Sequence, residues 1–200
     1  QINDLINVRS GFAFKSNTFV QNATHGLVTI KNVHDGLFIQ ECQNTIEQIP
    51  DRMKEYCFLK RGDIIMSLTG NVGRVCLVYG EDYLLNQRVA KIIPNIHDNR
   101  SFVYSMFRNS SFQKKLEAIS TGVAQQNLSP VLMGEQRLAL AKEKLMFLFS
   151  KICNPLINKI INLHDQNTNL KKTRDFLLPK LISGKVDVSE LDIDTSILND

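Results

Sequence analysis

The segment that decides the fold is EKLMFLFSKICNPLINKIINLHDQNTNLKKTRDFLLPKL, residues 143–181. Apolar residues recur in it every three or four positions, which is the spacing of one face of an α-helix. We call this face the apolar stripe, and its members are Leu145, Phe149, Ile152, Leu156, Ile160, Leu163, Leu170, Leu177 and Leu181. The spacing predicts one helix of roughly 55–60 Å, at about 1.5 Å per residue. This length exceeds what a helix needs to cover a small domain. The alternative interpretation is an ordinary core helix.

The apolar stripe also predicts that this helix packs along a partner helix. From Ile160 onward the pattern repeats every seven residues, as in a coiled coil, after a stutter between Ile152 and Ile160. Asn167 and Arg174 occupy the remaining positions of the repeat. Either they select one specific partner helix, or they face water. The predicted helix-pairing residues are Ile160, Leu163, Asn167, Leu170, Arg174 and Leu177.

Two prolines bear on the continuity of this helix. Pro155 removes an internal hydrogen bond, which costs up to about 3 kcal/mol in a helix interior. We therefore expect a kink there, or a helix that starts just after Asn154. Pro179 lies in the last turn, and Gly184 supplies the left-handed conformation that ends many helices.

The composition is that of an ordinary soluble globular protein: 43% hydrophobic and 22% charged among 200 residues. No apolar run approaches the length of about 20 residues that spans a membrane, so we expect no membrane association. The cysteines at positions 42, 57, 76 and 153 are scattered, which favours reduced thiols in the cytoplasm over disulfides or a zinc site. Because the chain starts with Gln1, we expect a trimmed product or a fragment.

The net charge of +4 is unevenly distributed. Residues 185–200 contain one lysine and five acidic residues, a local net charge of −4, so residues 1–184 carry +8. A basic body of this kind suits a polyanionic partner such as nucleic acid.

The pattern before the long helix predicts an α+β domain. We predict a hairpin over residues 26–39 that turns at Asp35-Gly36, and strands over 63–68, 74–79 and 88–93. A helix over 101–120 capped by Ser101, a short helix from Pro130 to Gly134 capped by Ser129, and a last strand over 138–140 follow. The predicted organisation is a domain of residues 1–141, a long helix of residues 142–184 and an acidic tail of residues 185–200.

No set of residues in the sequence predicts catalysis. The glycines at positions 70 and 73 lack the spacing of a phosphate-binding loop and precede a strand rather than a helix. The four histidines have no carboxylate or second histidine at metal-ligand spacing, so we predict neither an active site nor a metal site.

A binding surface is easier to predict, because polar side chains recur in loops and at strand ends. Arg, Lys, Asn and Gln make two-pronged contacts with base edges, and Ser and Thr bind phosphates. The candidate DNA-binding residues are Ser10, Phe12, Lys15, Lys31, Asn32, Ser67, Thr69, Asn71, Arg74, Gln87, Arg88, Gln125 and Gln126.

Five segments, in this order and spacing, resemble one half of the specificity subunit of type I restriction–modification enzymes. They are SGFAFKS (residues 10–16), GDIIMS (62–67) with Gly70 and Gly73 after it, NQ (86–87), GVAQQNLS (122–129) and LLPKLISGK (177–185). Residues 138–142 depart from the pattern, since the family usually has prolines there before the helix. This departure bears on the stiffness of the joint between domain and helix.

The resemblance implies a target-recognition domain that reads one half of a split DNA site, followed by a spacer helix. In the family this helix pairs antiparallel with a second one and docks methyltransferase subunits, and a restriction subunit joins the complex. The partner subunits use S-adenosylmethionine, ATP and Mg²⁺, so the resemblance implies no cofactor and no catalysis in this chain. A full subunit has two recognition domains, so the chain is either a fragment or a half-subunit that works as a homodimer.

Two other classes of function stay open at this point. The chain is alternatively a self-contained small DNA methyltransferase or nuclease, which activity of the chain alone would indicate. The third alternative is a coiled-coil adaptor with a non-DNA ligand, which salt-insensitive binding and no retention on DNA would indicate.

Overall fold

The computed structural model describes residues 1–122, 126–186 and 188. In these residues the predicted α+β class is confirmed, with a long helix at the C-terminal end. The strands are β1 (Ile6–Ser10), β2 (His25–Val28), β3 (Val33–His34), β4 (Leu37–Phe38), β5 (Thr45–Ile46), β6 (Phe58–Leu59), β7 (Ile64–Ser67), β8 (Val75–Leu77), β9 (Tyr83–Leu85) and β10 (Val89–Pro94). The helices are α1 (Arg100–Phe107), α2 (Ser110–Ala118), α3 (Pro130–Gly134) and α4 (Glu143–Ile182). The predicted acidic tail lies almost entirely outside the described residues.

The chain divides into two compact units, of which the first is Gln1–Asn162 and the second begins at Leu163. The first unit contains all the strands and the helices α1 to α3, together with the first half of α4. The second unit, taken by itself, begins with the remainder of α4.

The first sheet is antiparallel, in the order β1-β10-β7-β8. Each of the four residues of β7 is buried, and so are all three of β8, which explains why these strands, apart from Ser67, are apolar without alternation. The pairing register is set by Ser10 opposite Ala90, Val89 opposite Ser67, and Met66 opposite Val75. The predicted strands over 63–68, 74–79 and 88–93 are therefore present with slightly different bounds. The first two are shorter than predicted, whereas β10 includes Pro94, which pairs with Ile6.

The second sheet is mixed, in the order β5-β2-β9-β6. Its centre is a parallel pair, in which β2 lies beside β9 with Leu27 opposite Leu84. A parallel pair joins segments that are distant in sequence, so no local pattern predicts it.

The predicted hairpin turns at Asp35-Gly36, between β3 and β4, and Gly36 has the positive φ of 77° that this turn requires. The hairpin is shorter than the predicted span of residues 26–39. A turn at Asn32, whose N–H donates to the carbonyl of Thr29 at 3.0 Å, separates β2 from β3.

The single helix predicted over residues 101–120 is wrong, because the segment contains two helices. The side chain of Asn109 accepts a hydrogen bond from the N–H of Phe112 at 3.2 Å, so Asn109 caps a second helix where the first ends. Ser101 is not a cap either, because it is a buried residue inside α1.

The short helix α3 matches its prediction, with the Ser129 side chain accepting from the N–H of Leu132. The strand predicted over residues 138–140 is wrong, since that segment forms no strand.

Helix α4 runs without interruption from Glu143 to Ile182, so the expected helix start after Asn154 is wrong. The residues on either side of Pro155 explain the continuity: Ile157 is buried against the domain, and the Asn154 side chain is hydrogen-bonded to Ser101 and Asp98, which offsets the missing hydrogen bond. At the other end Gly184 has a φ of 66°, and the N–H of Lys185 donates to the carbonyl of Lys180 at 2.9 Å, a Schellman cap. No helix in the described part of the chain is long and apolar enough to cross a membrane.

Candidate nucleic-acid interface

Loops that carry most of the predicted DNA-binding residues emerge from one edge of the first sheet. Because the sheet is antiparallel, the ends of β1 and β7 lie beside the starts of β10 and β8. The segment after β1, the turn before β10 and the loop between β7 and β8 therefore converge there. We call this edge, with residues 10–15, 67–74, 86–88 and 126–128, the loop edge.

The segment after β1 packs tightly on the turn before β10. The N–H of Phe12 donates to the carbonyl of Leu85 at 2.9 Å, and the N–H of Gln87 donates to the carbonyl of Phe12 at 3.0 Å. A Cβ atom on Gly11 would lie 2.3 Å from the oxygen of Leu85, so only glycine fits this approach. The side chains of Gln87 and Arg88 are exposed beside this contact.

The predicted residues of the segment after β1 differ in how far they reach into solvent. Lys15 is exposed, whereas Ser10 and Phe12 are half-buried. The Phe12 ring packs edge-on against Phe14 at 5.1 Å between centroids, so its role is largely structural.

The loop between β7 and β8 is held by the segment around residue 127. Thr69 pairs with Asn127, the N–H of Gly70 donates to the carbonyl of Gln126 at 3.2 Å, and the N–H of Leu128 donates to the carbonyl of Leu68 at 2.8 Å. These backbone contacts fix the loop while the Asn71 and Gln126 side chains stay exposed and those of Thr69 and Arg74 half-buried.

Lys31 lies near the same edge, in the turn after β2. Its neighbour Ile30 comes within 3.5 Å of where a Cβ atom on Gly70 would be, which places the turn beside the β7–β8 loop. The Lys31 ammonium group is exposed and donates to the side-chain oxygen of Gln43 at 2.9 Å. Because Gln43 is neutral, this hydrogen bond does not neutralise the positive charge of Lys31.

Two of the predicted DNA-binding residues are structural instead. Asn32 is 2% exposed, and its amide donates to the carbonyls of Ile39 and Glu41 while its oxygen accepts from the N–H of Thr29. Ser67 is 1% exposed, and its hydroxyl donates to the carbonyl of Asn71. Both side chains close turns of the fold, which corrects the prediction that they contact DNA. Gln125 lies outside the described residues.

A polar cleft opens at this edge. It has a volume of about 280 Å³, and the side chains that line it are Asp35, Asn71, Arg74, Gln113, Glu117 and Gln126, with Gly70 and Val72. We call it the polar cleft.

Three residues of the polar cleft, Asp35, Gln113 and Glu117, were not predicted from the sequence. Gln113 and Glu117 lie four residues apart on the polar face of α2. Each directly follows a buried residue, Phe112 or Leu116, and this repeat four residues apart is the signal that marks them in the sequence.

The carboxylate of Asp35 ties the β3–β4 turn to the two helices. It forms an ion pair with Arg108 at 3.2 Å and accepts from the amide of Gln113 at 3.0 Å. This contact raises the pKa of Arg108, whose guanidinium also lies over the Tyr104 ring at 5.8 Å. The same amide of Gln113 lies 3.4 Å from the carbonyl of Gly73, so α2 is held against the β7–β8 loop.

Helix α4 contacts the end of the first sheet opposite the loop edge. The side chain of Asn154 accepts from the N–H of Ser101 at 3.2 Å and donates to the carbonyl of Asp98 at 2.8 Å, just beyond the end of β10. Asn158 accepts from Arg100, and Asn162 accepts from Arg61, which precedes β7.

The face of α4 that packs on the domain is not the apolar stripe. The buried residues of the helix are Met146, Ser150, Ile157 and Ile161. At 3.6 residues per turn, they lie roughly a third of the way around the helix from Ile152 and its stripe neighbours. The first half of α4 therefore has one face covered by its own domain and a separate apolar face that is exposed.

The exposure of the apolar stripe is extensive along α4. Ile152 is 69% exposed, Leu156 57% and Leu170 66%, while Ile160, Leu163, Leu177 and the polar Asn167 and Arg174 are also exposed. Phe149 is an exception in part, because its ring packs edge-on against Phe102 at 6.0 Å. Exposed apolar rows of this length mark interaction surfaces.

Titratable groups in the described residues do not converge on a reactive site. No group of three or more His, Cys, Asp and Glu in the described part of the chain is placed to hold a metal ion. The four cysteines are free, and burial raises the pKa of Cys42 to about 11 and that of Cys76 further. Raised thiol pKa values oppose nucleophilic catalysis, because the thiolate is the reactive form.

Comparison with known proteins identifies the family. Two relatives are the type I restriction enzyme HindI specificity subunit of Haemophilus influenzae, 22% identical over 160 residues, and the MjaIX specificity subunit of Methanocaldococcus jannaschii, 25% identical over 199 residues. These matches cover 80% and 96% of this chain but only 35% and 44% of those proteins.

The fold agrees with a solved structure of the same kind. The type I restriction–modification S subunit from M. genitalium superposes with a TM-score of 0.60 at 16% identity, over 91% of this chain and 44% of that one. A family model described as "Type I restriction modification DNA specificity domain" matches residues 1–140. A match over this share of the sequence shows that the chain belongs to the type I restriction–modification DNA specificity domain family.

Proposed function

We propose that this chain is a non-catalytic DNA-recognition part of a type I restriction–modification complex in the cytoplasm. Residues 1–141 form the target-recognition domain and read one half of a bipartite site. Residues 142–184 form the spacer and dimerisation helix, and residues 185–200 an acidic tail. Family membership supports this function over an independent enzyme or an adaptor for a non-DNA ligand.

The observation that carries the proposal is the convergence of polar loops at one sheet edge. Lys15, Asn71, Arg88 and Gln126 are exposed there, and their side-chain types bind phosphates and base edges. The opposite end of the sheet is occupied by α4. The loop edge is therefore the end of the domain that faces the duplex, and the basic charge of residues 1–184 favours its approach.

Helix α4 supplies the partner contacts in this proposal. Its apolar stripe pairs antiparallel with a second spacer helix, supplied by another copy of the chain, and the pair holds two recognition domains apart. The chain spans less than half the length of the relatives it matches. Methyltransferase subunits and a restriction subunit dock on this assembly, and they use S-adenosylmethionine, ATP and Mg²⁺.

The test is selection of bound duplexes from a random pool by the chain together with its methyltransferase subunits. We expect enrichment of duplexes that contain one short half-site sequence twice, with a fixed distance between the two copies. A matched variant with Arg88→Ala and Lys15→Ala at the loop edge should recover less DNA. A second variant with Lys171→Ala and Lys172→Ala, exposed on α4, should recover as much as the wild type. Recovery of DNA without any preferred sequence, in repeated rounds, would contradict the proposal.

A further inference from the structure

The polar cleft contains side chains that the fold uses and side chains that it leaves without partners. Asp35 and Gln113 are used, because each is hydrogen-bonded to the other and Asp35 is paired with Arg108. The backbones of Asn71 and Gln126 are used too, since their carbonyls accept from Ser67 and Gly70. The side chains of Asn71 and Gln126 are therefore left to bind a ligand.

Four side chains in the polar cleft are available. Those of Asn71, Arg74, Glu117 and Gln126 form no hydrogen bond or ion pair with any residue that the structure describes. Guanidinium, amide and carboxylate are the groups that read guanine, adenine and cytosine in the major groove. The cleft therefore offers the chemistry of base recognition on a scaffold fixed by backbone contacts.

Glu117 is the least expected member of this set. It lies in the last turn of α2, where the helix dipole disfavours a negative charge, so the stability of the helix does not explain it. The carboxylate is exposed and only accepts hydrogen bonds. On a surface that faces DNA it is repelled by every phosphate, and the groups it suits are the exocyclic amino groups of bases.

We infer that Glu117 is a base-reading residue, accepting a hydrogen bond from the exocyclic amino group of a base, with the N4 amino group of cytosine as the expected donor. Asn71, Arg74 and Gln126 lie around it in the same cleft and read neighbouring base edges. Helix α2 thus joins the loops in recognition. This inference rests on the proposed function, that the loop edge reads DNA.

The experiment is random-pool selection with wild type, Glu117→Ala and Glu135→Gln, each with methyltransferase subunits. Glu135 is an exposed glutamate at the end of α3, outside the polar cleft, so its substitution controls for the loss of one negative charge. With Glu117→Ala we expect the preference at one base pair to fall by roughly fivefold or more, the size of one base contact, and the other positions to be unchanged. Glu135→Gln should keep every preference.

A Glu117→Gln variant sharpens the assignment, because an amide both donates and accepts. Its preference at the same base pair should move toward adenine, the base that an amide reads in two-pronged fashion. If Glu117→Ala instead strengthens binding to all sequences alike, or leaves each preference intact, Glu117 does not read a base and the inference is overturned. If the wild-type chain itself enriches no sequence, the proposed function fails, whatever the variants do.

Discussion

The side-chain amide of Asn154 in α4 donates to the backbone carbonyl of Asp98 at 2.8 Å. The oxygen of the same amide accepts from the N–H of Ser101 at 3.2 Å, in the first turn of α1. No side chain next to α1 in sequence caps this helix, so Asn154 caps it from α4. One residue thereby satisfies two backbone groups and attaches the first half of α4 to the domain.

Asn154→Ala should therefore destabilise the first unit. The substitution leaves the carbonyl of Asp98 and the N–H of Ser101 without their partner, which costs about 1–2 kcal/mol of unfolding free energy. Urea denaturation followed by circular dichroism measures it. The control is Asn169→Ala in the same helix, which removes an exposed amide and should be neutral or slightly stabilising. Equal stabilities of the two variants would show that Asn154 does not attach the helix.

The reactivity of Cys42 should depend on pH in a defined direction. Burial raises its pKa to about 11, so only about one molecule in a thousand carries the thiolate at pH 8. We expect slow alkylation by iodoacetamide in the native protein, rising about tenfold per pH unit toward pH 11. Mass spectrometry of the labelled peptide measures the rate, with urea-unfolded chain as the control. Equal rates at pH 8 in native and unfolded chain would contradict the burial of this thiol.

The same thiol has a consequence for stability. Because the folded pKa lies above the ordinary value, the folded state holds the proton more strongly than the unfolded state. The stability that Cys42 contributes is fully present below about pH 9 and is lost as the pH rises through about 11. Burial raises the pKa of Tyr83 to about 12 as well, which extends the loss of stability to higher pH.

The apolar stripe should be required for association. Leu163→Asp or Leu170→Asp places a charge on a face that would be buried between helices, where it goes unpaired. We expect a lower mass in sedimentation than for the wild type, alone or with methyltransferase subunits. Asn169→Asp adds the same charge away from the stripe and should leave the mass unchanged. If neither stripe variant changes any assembly, another surface mediates association.

DNA affinity should depend steeply on salt, because lysine and arginine side chains that bind phosphates displace counterions. The logarithm of the binding constant should fall linearly with the logarithm of salt concentration. Lys15→Gln should reduce the slope by about one and weaken all sequences alike. Lys171→Gln on α4 is the matched control and should reproduce the wild-type slope. A flat plot for the wild type would exclude phosphate contacts as a main source of affinity.

Local signals predicted the elements that local interactions determine. The turn at Asp35-Gly36, the cap and proline at Ser129-Pro130, and the glycine after α4 each need only a few neighbouring residues, and all three are present. The apolar stripe also predicted the length of α4, because its period is a property of the helix itself.

Tertiary contacts account for what the sequence did not predict. The continuity of α4 at Pro155 depends on the domain that packs beside it, and the parallel pair of β2 and β9 joins distant segments. At the candidate interface, the burial of Asn32 could not be read from its loop position. Glu117 went unnoticed because tertiary contacts bring α2 to the loop edge, among them those of Gln113 with Asp35 and with the carbonyl of Gly73.

In the proposed function the loop edge reads DNA, and α4 sets the distance between two reading domains. The direct test inserts seven residues after Leu163, which keeps the repeat in phase and lengthens an antiparallel overlap by about 10 Å. At roughly 3.4 Å per base pair, the gap between selected half-sites should grow by about three base pairs. The added pairs also rotate one half-site by about a third of a turn, so affinity is expected to fall.

Random-pool selection with wild type and insertion variant, side by side with methyltransferase subunits, measures gap and sequence together. We expect a longer gap between half-sites of unchanged sequence, because the insertion leaves the loop edge untouched. An unchanged gap would contradict the role of α4 as spacer, and altered half-sites would show that the helix, not the loop edge, reads the bases.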